Sequence, residues 1–401
     1  MCPAPVETRD SVRIGGFCGF WGDSLTAAPQ LVQRGRVEYL VGDYLAELTM
    51  SLLYGAKQRS GGKLGYATDL VEVIKMVGGE TKARGIKIVT NAGGLNPKGC
   101  KEVIEKIYEE RGWGEIKVGV VYGDDVLKEI GDIIENVPHK KSLTTANVYL
   151  GAAPIVECLA SGADIVITGR VVDSALVLAP LIYEFGWSMD DLDLMASGTL
   201  VGHVLECGAQ ATGGLMTDCI DAGVAEGWSN MGYPVAEVLA SGEFLLSKPP
   251  GTGGRVMVEG VKEQILYEIG DPGNYIVPDV VCDFTQVKVD QVGNDVVRVS
   301  NARGKCPTET YKVCGTYLDG FKVTTSIIVR GHNAEVKARK TVEAIIKRVE
   351  RHLGTKLDET RIEIIAGDFQ AMARLAAKHR DRKVLQLLAN ELVSAGTSMA
   401  P

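Results

Sequence analysis

The sequence has few aromatic residues, 6% of 401, and no excess of positive charge. It has no Cys-x-x-Cys pair and no unbroken apolar run of membrane length. Each absence excludes something. A net charge of −8 argues against nucleic acid as the main partner, because phosphate binding needs a basic face. Without a long apolar run no membrane-spanning helix is expected. The cysteines, at 2, 18, 100, 158, 207, 219, 282, 306 and 314, are odd in number, and several lie in apolar runs. There a thiol behaves as a small hydrophobe. No disulfide framework and no structural zinc are expected, and all the thiols should be reduced. The start, MCPAPVETRD, has neither a basic stretch nor an apolar core, so no secretory leader is expected. The expected location is the cytoplasm.

One local imbalance runs against the acidic whole. Residues 330–383 hold fourteen Lys or Arg against eight Asp or Glu. A solvated helix face is the plain reading. A site for a phosphate-bearing ligand such as coenzyme A is the other.

Glycine is abundant, with 48 residues, mostly paired or at the ends of apolar runs, which is turn usage. Up to about residue 250, continuous apolar runs alternate with helical patterns. Runs at 12–20, 37–44, 86–94, 116–125 and 163–169 read as strands buried on both faces. Asn96-Pro97 reads as a helix cap followed by proline at the first helical position. The fold class is therefore α/β, a mainly parallel, Rossmann-like sheet over 10–250. From 251 to 401 the texture becomes α+β. Alternating runs flank Gly293-Asn294-Asp295 and Asp319-Gly320, two hairpin signatures. A helix over 333–352 follows, with an apolar stripe through Val342, Ile345, Ile346, Val349 and Leu353.

Ligands in parallel sheets bind beyond the carboxyl ends of the strands. That places Asp23, Asp43, Asn91, Asp124, Arg170 and Asp173 around one expected crevice. In ITGRVVDSALVLAP (167–180), Arg170 and Asp173 are either a solvated charge and a helix cap, or a site. In TNAGGLNP (90–97), the backbone amides of Gly93 and Gly94 suit an anion. GFCGFWGDS (16–24) offers Asp23 and Ser24 without the Lys-Ser/Thr of a phosphate loop. In GHVLECGAQATGG (202–214), His203, Glu206 and Cys207 share a helix face. Thr212 follows them. They read as a ligand pocket or as structure, and less readily as a thiol nucleophile; no metal is expected. PPGTGGRV (249–256), with Gly253, Gly254 and Arg255, either closes over an anionic substrate or turns.

These five motifs, taken in chain order from 16–24 to 249–256, resemble the acyclic terpene utilisation (AtuA-like) family over about residues 12–350. The resemblance implies a pathway that handles branched acyl-CoA esters by carboxylation, hydration and cleavage. It also implies a small ferredoxin-like domain or partner chain, for which a chain ending at Pro401 leaves no room. The expected function is an enzyme of branched-chain or isoprenoid catabolism, a lyase or hydratase acting on a carboxylate or acyl-CoA through an enolate-like intermediate. Arg170 would hold a carboxylate with its planar fork. Asp173 would orient it or act as base. Asn91, Gly93 and Gly94 would stabilise the enolate oxygen, and His203 would move a proton. Asp23, Ser24, Asp43, Asp124, Cys207, Thr212, Gly253, Gly254 and Arg255 would line the substrate. No cofactor is implied beyond coenzyme A as part of the substrate. The alternative is a non-catalytic subunit that binds an acyl-CoA or a partner enzyme. A homo-oligomer, most simply a dimer, is expected through the leucines of KVLQLLANELVSAG (383–396).

Overall fold

The computed structural model describes residues 9–400. Cys2 lies outside the described residues. Two compact units divide the chain, the first ending at Tyr317 and the second starting at Leu318.

The first unit opens with β1 (Ser11–Cys18), α1 (Ala27–Arg34), β2 (Tyr39–Gly42), α2 (Glu47–Arg59), α3 (Asp69–Ala83) and β3 (Lys87–Thr90). Next come α4 (Pro97–Arg111), β4 (Val118–Val121), a short α5 (Ile130–Ile133), β5 (Leu143–Val148), α6 (Ala153–Ala160) and β6 (Ile165–Thr168). Then α7 (Ala175–Phe185), α8 (Leu192–Glu206), β7 (Val235–Leu239), β8 (Phe244–Ser247) and α9 (Val258–Leu266) follow. The unit closes with β9 (Tyr275–Ile276), β10 (Val281–Asp283), β11 (Lys288–Gly293), β12 (Val296–Ser300), β13 (Arg303–Lys305) and β14 (Val313–Tyr317).

Its main sheet has the order β11-β12-β8-β7-β1-β2-β3-β6-β4. The block β1-β2-β3-β6-β4 is parallel. The four strands beyond β1 join antiparallel. The reason for the continuous apolar runs is visible in the packing. Tyr39 and Val41 face one core while Leu40 faces another; Val166 faces the first while Ile165 and Ile167 face the second. Successive side chains point to opposite faces, and helices cover both. Helices α6, α7 and α8 lie on one side, and α1, α3 and α4 on the other. Asn96 caps α4 as its sequence promised, its side chain accepting from the Gly99 N–H at 3.1 Å.

Residues 251–317, read from sequence as part of the α+β domain, lie in the first unit. The β11–β12 hairpin forms around Gly293 and edges the main sheet. The second expected hairpin does not form. Strand β14 pairs with β5. The run after Asp319-Gly320 becomes β15 (Phe321–Arg330) of the second unit and pairs with β17 (Gln370–His379). The turn signal marks the division between the units instead. Alternation sets which face a strand buries, not which neighbour it takes.

The second unit continues with α10 (Ala334–Leu353), β16 (Glu359–Ala366), β17 and α11 (Arg382–Ser398). Its antiparallel sheet has the order β15-β17-β16. Helix α10 buries Val342, Ile345 and Val349 of its predicted stripe against Ala371, Ala373 and Leu375 of β17. Leu385 and Leu388, offered by sequence to a dimer contact, are buried in this unit's own core.

No helix among the described residues is long and apolar enough to cross a membrane. The eight described cysteines are free thiols.

Candidate active site

A cleft of about 700 Å³ opens at the carboxyl ends of β1, β2 and β6. β1 leads to Asp23, β2 to Asp43, and β6 to Arg170 and Asp173. The C-terminal end of α8 adds His203, Glu206 and Cys207, and Tyr275 comes from β9. Glu47, Tyr149 and Lys312 complete one wall.

Arg170 sets the electrostatics. Its side chain is 2% exposed, so it is no solvated charge. Its Nη1 contacts Asp173 Oδ1 at 2.9 Å and donates to the Leu45 carbonyl. Its guanidinium carbon lies 4.2 Å from the centre of the Tyr149 ring, a cation–π contact. Its backbone N–H donates to Asp124 Oδ2 at 2.8 Å. Gly169 permits this approach, because a Cβ there would fall 2.2 Å from Asp124 Oδ1. The fork expected to clamp a ligand carboxylate is thus turned largely toward the protein.

The two carboxyls beside it hold protons unusually tightly. For Asp173, burial is the main cause and Glu206 adds to it; the Arg170 charge opposes both, and the carboxyl is pushed up to about 7. Asp43 is raised well above the carboxylate range, first by burial and then by Asp173, against Arg170 and Asn91. Asp173 does not cap α7; the cap position belongs to Ser174, whose side chain makes no capping bond.

His203 is buried, with Nδ1 2.8 Å from Glu206 Oε1 and Nε2 3.2 Å from the Ile265 carbonyl. Both ring nitrogens face acceptors, which favours the imidazolium. Burial is the largest influence and would lower its proton affinity, but the Glu206 charge and hydrogen bond, together with the backbone contacts at Ile265 and Gln264, outweigh it and the net direction is up. Cys207 lines the cleft, but burial and Glu206 push its thiol up, away from the thiolate a nucleophile needs.

On the opposite wall, Glu47 Oε1 accepts from the Tyr149 hydroxyl at 2.5 Å and from Lys312 Nζ at 2.9 Å. Burial would raise Glu47, but these two bonds prevail and hold it at about 2.

Not all expected residues reach this cleft. Asn91 is buried behind Asp43; it donates to Asp43 Oδ1 at 2.6 Å and accepts from the Tyr44 N–H at 2.7 Å. Asp124 holds the Arg170 backbone and Asn147. Asp23 lines the cleft, tied to the Gly19 N–H and the Tyr233 hydroxyl. Ser24 pairs with Thr26 instead. Gly93 and Gly94 lie outside the lining, since Gly93 is packed against the Thr168 carbonyl and the Gly94 N–H bonds Asn91. Thr212, Gly253, Gly254 and Arg255 also lie outside it. The Arg255 N–H donates to the Thr212 carbonyl at 2.7 Å, and the Gly253 N–H to that of Asn230. That loop is an internal clasp. Sequence reasoning omitted Glu47, Tyr149, Tyr275 and Lys312, and it named Glu206 only through its helix spacing.

No group of three or more His, Cys, Asp or Glu among the described residues is placed to hold a metal ion. No curated protein and no solved structure matches the chain. The family model for acyclic terpene utilisation family protein AtuA matches residues 12–401, beyond the span of the motifs and through the second unit, and the chain belongs to that family.

Proposed function

We propose that the chain is an enzyme of branched, acyclic acyl catabolism, a lyase or hydratase that works by proton transfer through an enolate-like intermediate. The observation that carries this reading is the pair of carboxyls, Asp43 and Asp173, held beside Arg170 in one cleft, both with raised proton affinity, Asp43 bonded to Asn91 and the Leu45 N–H and Asp173 against the Arg170 guanidinium. Two carboxyls in such different surroundings can divide acid and base work between them. Asp173, poised near neutrality, takes or returns the proton. Asp43 stays protonated. Its Oδ1 accepts from Asn91 and from the Leu45 N–H, which leaves Oδ2 to carry the proton and donate it to an enolate-like oxygen. Asn91 is then a positioning residue, and Asp43 takes the oxyanion role.

The charge balance supports one of the two substrate forms over the other. With Asp43 protonated, Asp23, Glu47, Asp173, Glu206 and Glu268 line the cleft against Arg170, His203 and Lys312. A free carboxylate would meet this acidic excess, whereas an uncharged thioester would not. Leu45, Val172, Val277 and Pro278 supply an apolar wall for the chain. The reading therefore favours the acyl-CoA ester.

The test is to incubate the protein with a panel of branched acyl-CoA esters and to follow mass. A gain or loss of water, or a cleaved chain, abolished by Asp173→Asn, supports the proposal. Binding without any change in mass across the panel points to the non-catalytic subunit.

A further inference from the structure

Three buried side-chain atoms around this cleft have no hydrogen-bond partner among the described residues: Glu206 Oε2, Asp173 Oδ1 and Arg170 Nε. Asp173 Oδ1 lies at ion-pair distance from Arg170 Nη1, without a directed hydrogen bond. All three residues line the cavity. Orphaned buried polar atoms are costly, so a group of them on residues that line one cavity marks where a ligand can supply the partners. The most defined of the three is Glu206. Its Oε1 is occupied by His203, whose other nitrogen faces the Ile265 carbonyl, and so the histidine stays a donor at both ends. That leaves Glu206 Oε2 as an acceptor that lacks a donor.

The chemistry of the orphans selects the ligand group. Two acceptors call for an O–H or N–H. An ammonium would donate to them but could not answer Arg170 Nε, which is itself a donor. A carboxylate or an ether has no hydrogen to give. A hydroxyl both donates and accepts. We propose that this cleft recognises an alcohol, with Glu206 Oε2 accepting the hydroxyl hydrogen, so that the bound acyl thioester is the hydroxylated member of its pair. The hydroxyl assignment stands on the orphan atoms; the thioester rests on the functional reading above.

The experiment uses matched ligands on the full chain: 3-hydroxy-3-methylbutyryl-CoA against 3-methylbutyryl-CoA, and 3-methylbutane-1,3-diol against 3-methylbutan-1-ol. Binding is read by calorimetry for the thioesters and by ligand-observed NMR for the alcohols. The hydroxylated member should bind about tenfold or more tightly, the discrimination expected when a buried polar group is left unpaired by the wrong ligand. Equal affinity within both pairs, or no binding by any of the four, overturns the proposal. Glu206→Gln keeps the shape and the bond to His203 but puts an N–H₂ donor where Oε2 was, so the hydroxyl hydrogen loses its acceptor and the preference should weaken. An undiminished preference in the folded variant overturns the assignment to Glu206, and if the variant fails to fold the wild-type comparison still decides the hydroxyl. If the hydroxyl is preferred yet no thioester is ever turned over, this inference stands and the catalytic reading falls.

Discussion

Arg170 meets Asp173 at 2.9 Å in the first unit, and Arg374 meets Glu363 at 3.0 Å in the second. The lengths are nearly the same, but the settings do not match. Arg374 and Glu363 are each about half exposed, at 51% and 48%, while the Arg170 side chain is 2% exposed. Water screens the second-unit pair, which also gives up side-chain entropy to hold its geometry. The buried arginine must have compensation, and it obtains it from a carboxylate, a carbonyl and an aromatic face. The basic stretch 330–383 contains pairs of the exposed kind, such as Lys378 with Glu359 and Arg348 with Glu391. Charge density in sequence marks the region where charge is cheap. Function is sought where it is costly.

The contrast can be broken most forcefully at the arginines. Arg170→Met should destabilise the first unit by about 3–5 kcal/mol, because it strands partners arranged around a buried charge. Arg374→Met should cost no more than about 1 kcal/mol. Urea unfolding followed by tryptophan fluorescence reads the first, since Trp21, Trp113, Trp187 and Trp228 all lie in that unit. Circular dichroism reads the second. Similar losses for both would erase the distinction.

A second effect separates chemistry from stability. Asp173→Asn should lower turnover of any accepted thioester by about 10²–10⁴, the scale of a lost general acid or base. Its melting temperature should change little, because the carboxyl is already half neutral near pH 7 and Asn keeps a polar oxygen beside Arg170. A parallel loss of activity and melting temperature would recast Asp173 as a structural residue.

The pH dependence of stability is smaller and has a definite sign. Asp173 binds its proton more tightly folded than unfolded, so its contribution is fully present below about pH 4, the ordinary aspartate range. That contribution is lost as the pH rises through about 7. Glu47 runs the other way: its contribution is present above the ordinary glutamate range and is lost as pH falls through about 2. Urea midpoints between about pH 4 and 7 should fall toward neutral pH in the wild type, and less steeply in Asp173→Asn. An unchanged slope in the variant would assign the effect elsewhere.

Much of the fold was legible because the parallel strands are buried on both faces, which leaves continuous apolar runs such as those containing Leu40 and Val166. Strand pairing was not legible. The run around Cys314 reads equally well beside β15, and it is the folded arrangement that joins it to β5. In the site, strand-end logic located Asp23, Asp43, Arg170 and Asp173, because the ends of parallel strands converge. The same logic overreached at Asn91 and Asp124, where a polar residue at a strand end holds a neighbour rather than a ligand. Lys312 and Glu47 are 265 residues apart. Their meeting has no local signature, so the wall they share with Tyr149 was invisible until the chain was folded.

The central claim is that Asp173 is a carboxyl poised to trade its proton near neutrality. Infrared difference spectra of wild type against Asp173→Asn, collected across the pH range, isolate its protonated carboxyl band directly. The account predicts that this band is lost with a midpoint of about 7. A midpoint in the ordinary aspartate range, about 3.9, would contradict it.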